Sequence, residues 1–105
     1  MDAEKRMSPE TTVVATKEQA SADLGGEVAI LHLKNGIYYG LDPIGARIWN
    51  LIQEPRTVSE VRDTLLAEYD VDADRCERDL LALLTQLAEN DLIHIVDADD
   101  AEPHK

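Results

Sequence analysis

The chain of 105 residues has one cysteine, no phenylalanine and one tryptophan, and only 10 lysine and arginine residues against 22 aspartate and glutamate. With Cys76 alone, neither an intramolecular disulfide nor a cysteine zinc cluster can form, which suits a reduced, cytoplasmic setting. No apolar run is long enough to cross a bilayer, and the N-terminal MDAEKRMSPE lacks the apolar centre of a signal peptide. The shortage of bases extends beyond the ends. Residues 11–96 hold 15 acids against 7 bases, so about −8 of the total charge of −12 lies in that body. Such a surface repels phosphate backbones and anionic membranes, because binding either requires a cationic patch that releases counterions. Neither a nucleic acid nor a membrane is expected as a partner.

The groups that nucleophilic or metal chemistry requires are equally scarce. Cys76 falls on the apolar face of a predicted helix, where a cysteine behaves as a small core residue. His32, His94 and His104 show no metal-ligand spacing such as H-x-x-x-H. Asp70, Asp72 and Asp74 alternate, but the glycine of a calcium loop is missing. Gly25-Gly26 has no helix start directly after it, so it is not a phosphate-cradling loop. No catalytic, cofactor or metal residue is assigned, and a non-enzymatic role is expected.

What the chain does have is an aliphatic core for one modest domain. Met1 to about Glu10 is polar and broken by Pro9, and the acidic DADDAEPHK follows Val96. Residues 1–10 and 97–105 therefore read as disordered ends around a domain of residues 11–96. Thr11 to Thr16 is β-branched and favours a first strand, and Lys17 to Gly26 reads as a polar connection. Asn35-Gly36, between the apolar runs Val28–Leu33 and Ile37–Leu41, predicts a two-residue type I′ hairpin turn. That turn pairs Lys34 with Ile37, Leu33 with Tyr38, His32 with Tyr39, Leu31 with Gly40 and Ile30 with Leu41.

Three helices are predicted after the hairpin. Asp42 caps the first, with Pro43 at its first position, and Pro55 prevents continuation beyond about Gln53. Its apolar stripe is Ile44, Ile48, Leu51 and Ile52, with Trp49 beside it. Thr57 and Glu60 form a capping box for a second helix running to about Tyr69, which buries Val58, Val61 and Leu65. The third begins after Asp72, which caps it, and runs to about Glu89 with Cys76, Leu80, Leu83, Leu84 and Leu87 on one face. Leu92 to Val96 suits a last short strand.

Three helices beside a hairpin are also the parts of a winged helix. Arg75 and Arg78 of the third helix are interleaved with Asp74, Glu77 and Asp79, which argues against a recognition helix. A winged-helix DNA-binding regulator or a structural dimerisation domain stands as the alternative. The physical basis for peptide binding is the hairpin's second strand. If Ile37–Leu41 lies at a sheet edge, its unpaired backbone groups can take up an extended peptide.

The succession GIYYGLDPIGARIWNLI, then TVSEV, LLAEYDVD and DLLALL with a following DLI resembles the PqqD-like family. These are the leader-recognition proteins of ribosomally made, modified peptides, also called RiPP recognition elements. The resemblance covers Val28 to about Ile95. It implies an α+β, winged-helix-like fold, a three-stranded antiparallel sheet packed on three helices. It further implies that a precursor's leader adds as a strand along the third strand, facing the third helix. Carried over by position, Ile37, Tyr38, Tyr39, Gly40 and Leu41 offer the backbone edge. Arg75, Arg78, Asp79, Ala82, Leu83 and Gln86 line the opposite wall, and Trp49 serves stability. The implied partners are a precursor (leader) peptide and either a leader peptidase, as in lasso-peptide pathways, or a radical SAM enzyme. The length suggests a free-standing adaptor, with the lasso-peptide type favoured. Gly40 departs from a good strand former, and the approach of a peptide strand accounts for it.

Overall fold

The computed structural model describes residues 7–96, and the expectations for residues 1–6 and 97–105 lie outside them. Residues 7–10 form a turn in which Met7 packs on the core and the Pro9 carbonyl accepts from the Ser59 amide at 3.0 Å. Residues 7–10, expected to belong to a disordered end, thus pack against the body of residues 11–96.

The architecture is α+β. In chain order the elements are β1 (Thr12–Ala15), β2 (Gln19–Asp23), β3 (Val28–His32), β4 (Tyr38–Leu41), α1 (Pro43–Leu51), β5 (Arg56–Thr57), α2 (Val58–Glu68), α3 (Ala73–Glu89) and β6 (Ile93–Val96). Two antiparallel three-stranded sheets form, ordered β5-β1-β6 and β2-β3-β4. The expected first strand is present but belongs to the sheet away from the hairpin. The hairpin sheet takes its first strand instead from β2, in the stretch read as a polar connection. Alanine, serine and aspartate are poor strand formers, so β2 carries little local signal; pairing along the whole of β3 holds it in place.

The helices start where the caps indicate. The Asp42 carboxylate accepts from the Gly45 amide at 2.8 Å, and Thr57 and Glu60 complete their reciprocal box at 3.1 and 2.9 Å. Asp72 accepts from the Arg75 amide at 3.1 Å. Each cap satisfies an otherwise orphaned donor and contributes about 1 kcal/mol. The core joins Val13, Ile30, Trp49, Ile52, Val58, Val61, Leu80, Leu84, Leu87 and Leu92, all at most 2 % exposed. Trp49 reaches across to β2, donating from its ring nitrogen to Ser21 at 3.4 Å.

The hairpin register differs from the two-residue turn by two positions. Leu31 stands opposite Tyr38, Ile30 opposite Tyr39, Ala29 opposite Gly40 and Val28 opposite Leu41. His32 therefore faces Ile37, whose carbonyl accepts from the His32 amide at 2.9 Å. The loop has four residues, Leu33 to Gly36, and only Gly36 takes a positive φ, of 75°. A type I′ turn would need both central residues there. The cause is the buried His32 ring, whose Nδ1 accepts from the amides of Lys34 at 3.1 Å and Asn35 at 3.4 Å. These bonds make the longer loop self-sufficient. A shift of two positions preserves the side-chain alternation, so each residue keeps its expected face.

Candidate functional site

β4 lies at the end of its sheet, and among the described residues no strand pairs with its outer side. Which of its backbone groups are free follows from the register. In an antiparallel ladder, hydrogen-bonded and non-hydrogen-bonded pairs alternate. The His32–Ile37 bond makes Leu31–Tyr38 a non-bonded pair, Ile30–Tyr39 a bonded one and Ala29–Gly40 again non-bonded. The amides and carbonyls of Tyr38 and Gly40 thus point away from β3, and those of Tyr39 and Leu41 point into it. The open edge is a short ladder of donors and acceptors two residues apart.

Beside this edge a cavity of about 590 Å³ opens between β4 and the helices. Tyr39, Gly40 and Leu41 form its strand wall, and Arg75, Cys76, Asp79, Leu80, Leu83 and Gln86 of α3 form the opposite wall. Its floor comes from Ile44 and Ile48 of α1, Leu65 of α2, and Tyr69 and Val71 of the following loop. The α3 residues recur at three- and four-residue spacings, which puts one face of the helix along the groove. Tyr39 is half-buried on the groove side, and its hydroxyl donates to the side-chain carbonyl of Gln86, linking the two walls.

The lining is apolar with a charged mouth. Ile44 and Val71, 42 % and 43 % exposed, are open apolar surface. Arg75 and Asp79 pair loosely at 3.7 Å, and Asp42 stands at the same rim. The half-buried Cys76 thiol is pushed up in pKa, first by burial and next by the charge of Asp79. Such a chamber has the size and apolar lining to hold apolar side chains.

Of the residues assigned from sequence, Tyr39, Gly40, Leu41, Arg75, Asp79, Leu83 and Gln86 meet at this one cavity. Ile37 precedes β4 and is 39 % exposed, and Tyr38 turns its side chain to the opposite face at 71 % exposure. Arg78 lies on another side of α3 with Asp74, Glu77 and Leu81, and exposed Ala82 is not among the lining residues. Sequence reasoning missed Ile44 and Cys76, which it placed in the core stripes, and the loop residues Tyr69 and Val71. Periodicity identifies an apolar face without saying whether that face meets a neighbour or an opening.

Comparison with known proteins places the geometry in context. A family model described as Coenzyme PQQ synthesis protein D (PqqD) matches residues 27–93. Among solved structures, the chain is similar to TbiB1 in complex with the TbiA(beta) leader peptide. The TM-score is 0.72 at 41% identity, over 77% of this chain and 94% of that one. It is also similar to a lasso peptide synthetase B1 complexed with the leader peptide. There the TM-score is 0.69 at 27% identity, over 78% of this chain and 96% of the other. No curated protein matches the sequence.

Proposed function

The chain belongs to the PqqD family, and from that premise we propose that it is a non-catalytic adaptor for the leader segment of a ribosomally made precursor peptide. The leader adds as a strand to β4 and is presented to a partner enzyme. The single observation that carries this reading is the open β4 edge standing directly beside an apolar cavity. A peptide strand bonded to Tyr38 and Gly40 places its intervening side chains opposite Tyr39 and Leu41, on the cavity side. The backbone ladder gives affinity and the cavity gives selection.

Residues 11–96 form the recognition unit in this reading. Ile37 to Leu41 supply the strand, and Arg75, Asp79, Leu83 and Gln86 supply the facing wall, with Arg78 and Ala82 at its flank. The kinship with leader-bound B1 proteins favours a lasso-peptide pathway, and so a leader peptidase as partner, over a radical SAM enzyme.

The test is titration of the isotopically labelled protein with the leader segment encoded by a precursor gene beside its own. Amide resonances of residues 37–41 and of the groove face of α3 are expected to shift. Ile44→Lys, at an exposed cavity position, is expected to weaken binding at least tenfold with an unchanged fold. A full titration without shifts in β4 overturns the reading.

A further inference from the structure

The hydrogen bond between the Tyr39 hydroxyl and the Gln86 side chain stands at one end of the groove. Tyr39 is the first residue of the strand wall and Gln86 the last of the α3 wall, so the cavity lies to one side of the bond. From Gln86 the helical wall runs back through Leu83 and Asp79 to Arg75, about 16 Å of helix. That far end is open: Val71 is 43 % exposed, and the Arg75 and Asp79 side chains reach into solvent.

The closed end is also the anchored end. Among the described residues, the Tyr39–Gln86 bond is the one hydrogen bond that joins β4 to α3. Tyr39 is fixed from behind, because its backbone pairs with the fully buried Ile30 of β3. Gln86 is fixed by the helix end, where its carbonyl accepts from the Asn90 amide at 3.2 Å and from the Asn90 side chain at 2.9 Å. The His32–Asp91 bond ties the same end of α3 to β3.

A peptide strand on β4 sends side chains towards the groove at two positions, opposite Tyr39 and opposite Leu41. They meet different surroundings. A side chain opposite Leu41 enters the open cavity over Ile48 and Leu80. One opposite Tyr39 meets the joined phenol and carboxamide at the closed end.

We propose that the Tyr39–Gln86 bond is a register stop, which excludes a bulky apolar side chain from the leader position opposite Tyr39 and confines it to the position opposite Leu41. The proposal rests on the leader-binding reading. Backbone pairing cannot set this register, because sliding a strand by two residues restores the hydrogen-bond pattern and returns every side chain to its face. An obstruction at one end of the groove removes that degeneracy. It acts by rejecting the displaced leader, not by adding affinity for the correct one. Each of the two side chains holds the other in place, since turning aside costs both their shared bond.

The test uses the full chain and two versions of the leader encoded by the precursor gene beside its own. Nuclear Overhauser contacts to the Leu41 methyl groups first identify the leader residue opposite Leu41. One version carries leucine there and alanine opposite Tyr39, and the other exchanges the two. Wild type is expected to bind the exchanged version about tenfold more weakly, the scale of a bulky group forced into a filled site. In Tyr39→Phe and in Gln86→Ala, which leave strand and helix backbones intact, the ratio is expected to fall to about threefold or less, as the loss of one hydrogen bond permits. The double variant should lower it no further, because either single change already removes the bond. The ratio compares two ligands on one protein, so a general loosening of the fold cancels out of it. A wild-type ratio near one, with the native leader bound along residues 37–41, overturns this proposal alone. A wild-type ratio that both variants retain does the same. Failure of the wild-type chain to bind the native leader overturns the leader-binding reading and this one with it.

Discussion

His32 and Asp91, 59 residues apart in sequence, are joined by a hydrogen bond of 3.1 Å from the ring Nε2 to the backbone carbonyl. Because Nδ1 accepts from the turn amides, Nε2 carries the hydrogen and donates it. One buried ring thus organises the hairpin loop on one side and ties the end of α3 to β3 on the other. His32→Ala leaves these amides and the Asp91 carbonyl without their partner. It is expected to destabilise the fold by about 1–3 kcal/mol in a denaturant titration, from the loss of three part-buried hydrogen bonds at roughly 0.5–1 kcal/mol each and of the buried ring's packing.

Asp91 itself occupies a strained place. It has φ 61°, and among the described residues it is the only non-glycine at positive φ. It follows the last residues of α3 in a Schellman arrangement. Its amide donates to Ala88 at 3.0 Å and the Leu92 amide donates to Leu87 at 2.9 Å. Glycine is the residue that position favours. Asp91→Gly retains the carbonyl that His32 uses and is expected to stabilise by about 0.5–1 kcal/mol, read from the same titration.

What the sequence made legible follows from whether the determining contacts were local. Asp42, Thr57 and Asp72 cap helices through bonds three residues away, so all three helix starts were readable. The hairpin register was not, because its loop depends on a histidine ring held by Asp91 from the far end of α3. β2 was missed for a related reason: Ala20 and Ser21 have little strand preference, and only β3 makes them a strand. At the site, the expected strand residues Tyr38 to Leu41 do form the end strand of their sheet, since an edge strand presents its backbone whatever its side chains. The helical wall was harder to place, because an apolar stripe does not reveal that Ile44 and Cys76 border an opening.

The two central tyrosines should respond differently to proline. The Tyr38 amide points to the open edge, so Tyr38→Pro removes a donor offered to the peptide and leaves the β3–β4 ladder intact. Calorimetric titration is expected to show at least a tenfold loss of leader affinity with a small change in Tm. Tyr39→Pro removes a ladder bond and is expected to lower Tm first. The reverse pattern would mean that Tyr39 faces the edge.

The Arg47–Glu68 pair gives a pH signature. Arg47 donates from Nε to one carboxylate oxygen at 2.9 Å and from Nη2 to the other at 2.7 Å. The guanidinium holds the Glu68 carboxyl below the ordinary glutamate range, chiefly through these hydrogen bonds. A depressed carboxyl pKa stabilises the fold above the unfolded-state value of about 4.3, and the contribution is lost as the pH falls through the folded value. Arg47→Gln is therefore expected to be less stable than wild type at pH 6, with the difference shrinking towards pH 3. A difference constant over that range would show that the pair contributes nothing through its charge.

Cys76 offers a direct report on groove occupancy. Its thiol borders the cavity, and burial together with Asp79 raises its pKa, so at neutral pH less thiolate is present than in an ordinary cysteine. Alkylation by iodoacetamide is accordingly expected to be slower at pH 7.5 than in the denatured chain, and to accelerate as the pH rises beyond about 8.5, the unperturbed thiol value. A leader strand on β4 with side chains in the cavity excludes the reagent, so saturating leader should slow labelling at least fivefold at each pH. Protection that follows the leader's binding curve ties occupancy to this cavity. Labelling indifferent to saturating leader would put the peptide elsewhere, because Cys76 lies on the same α3 wall of the cavity as Leu80 and Leu83.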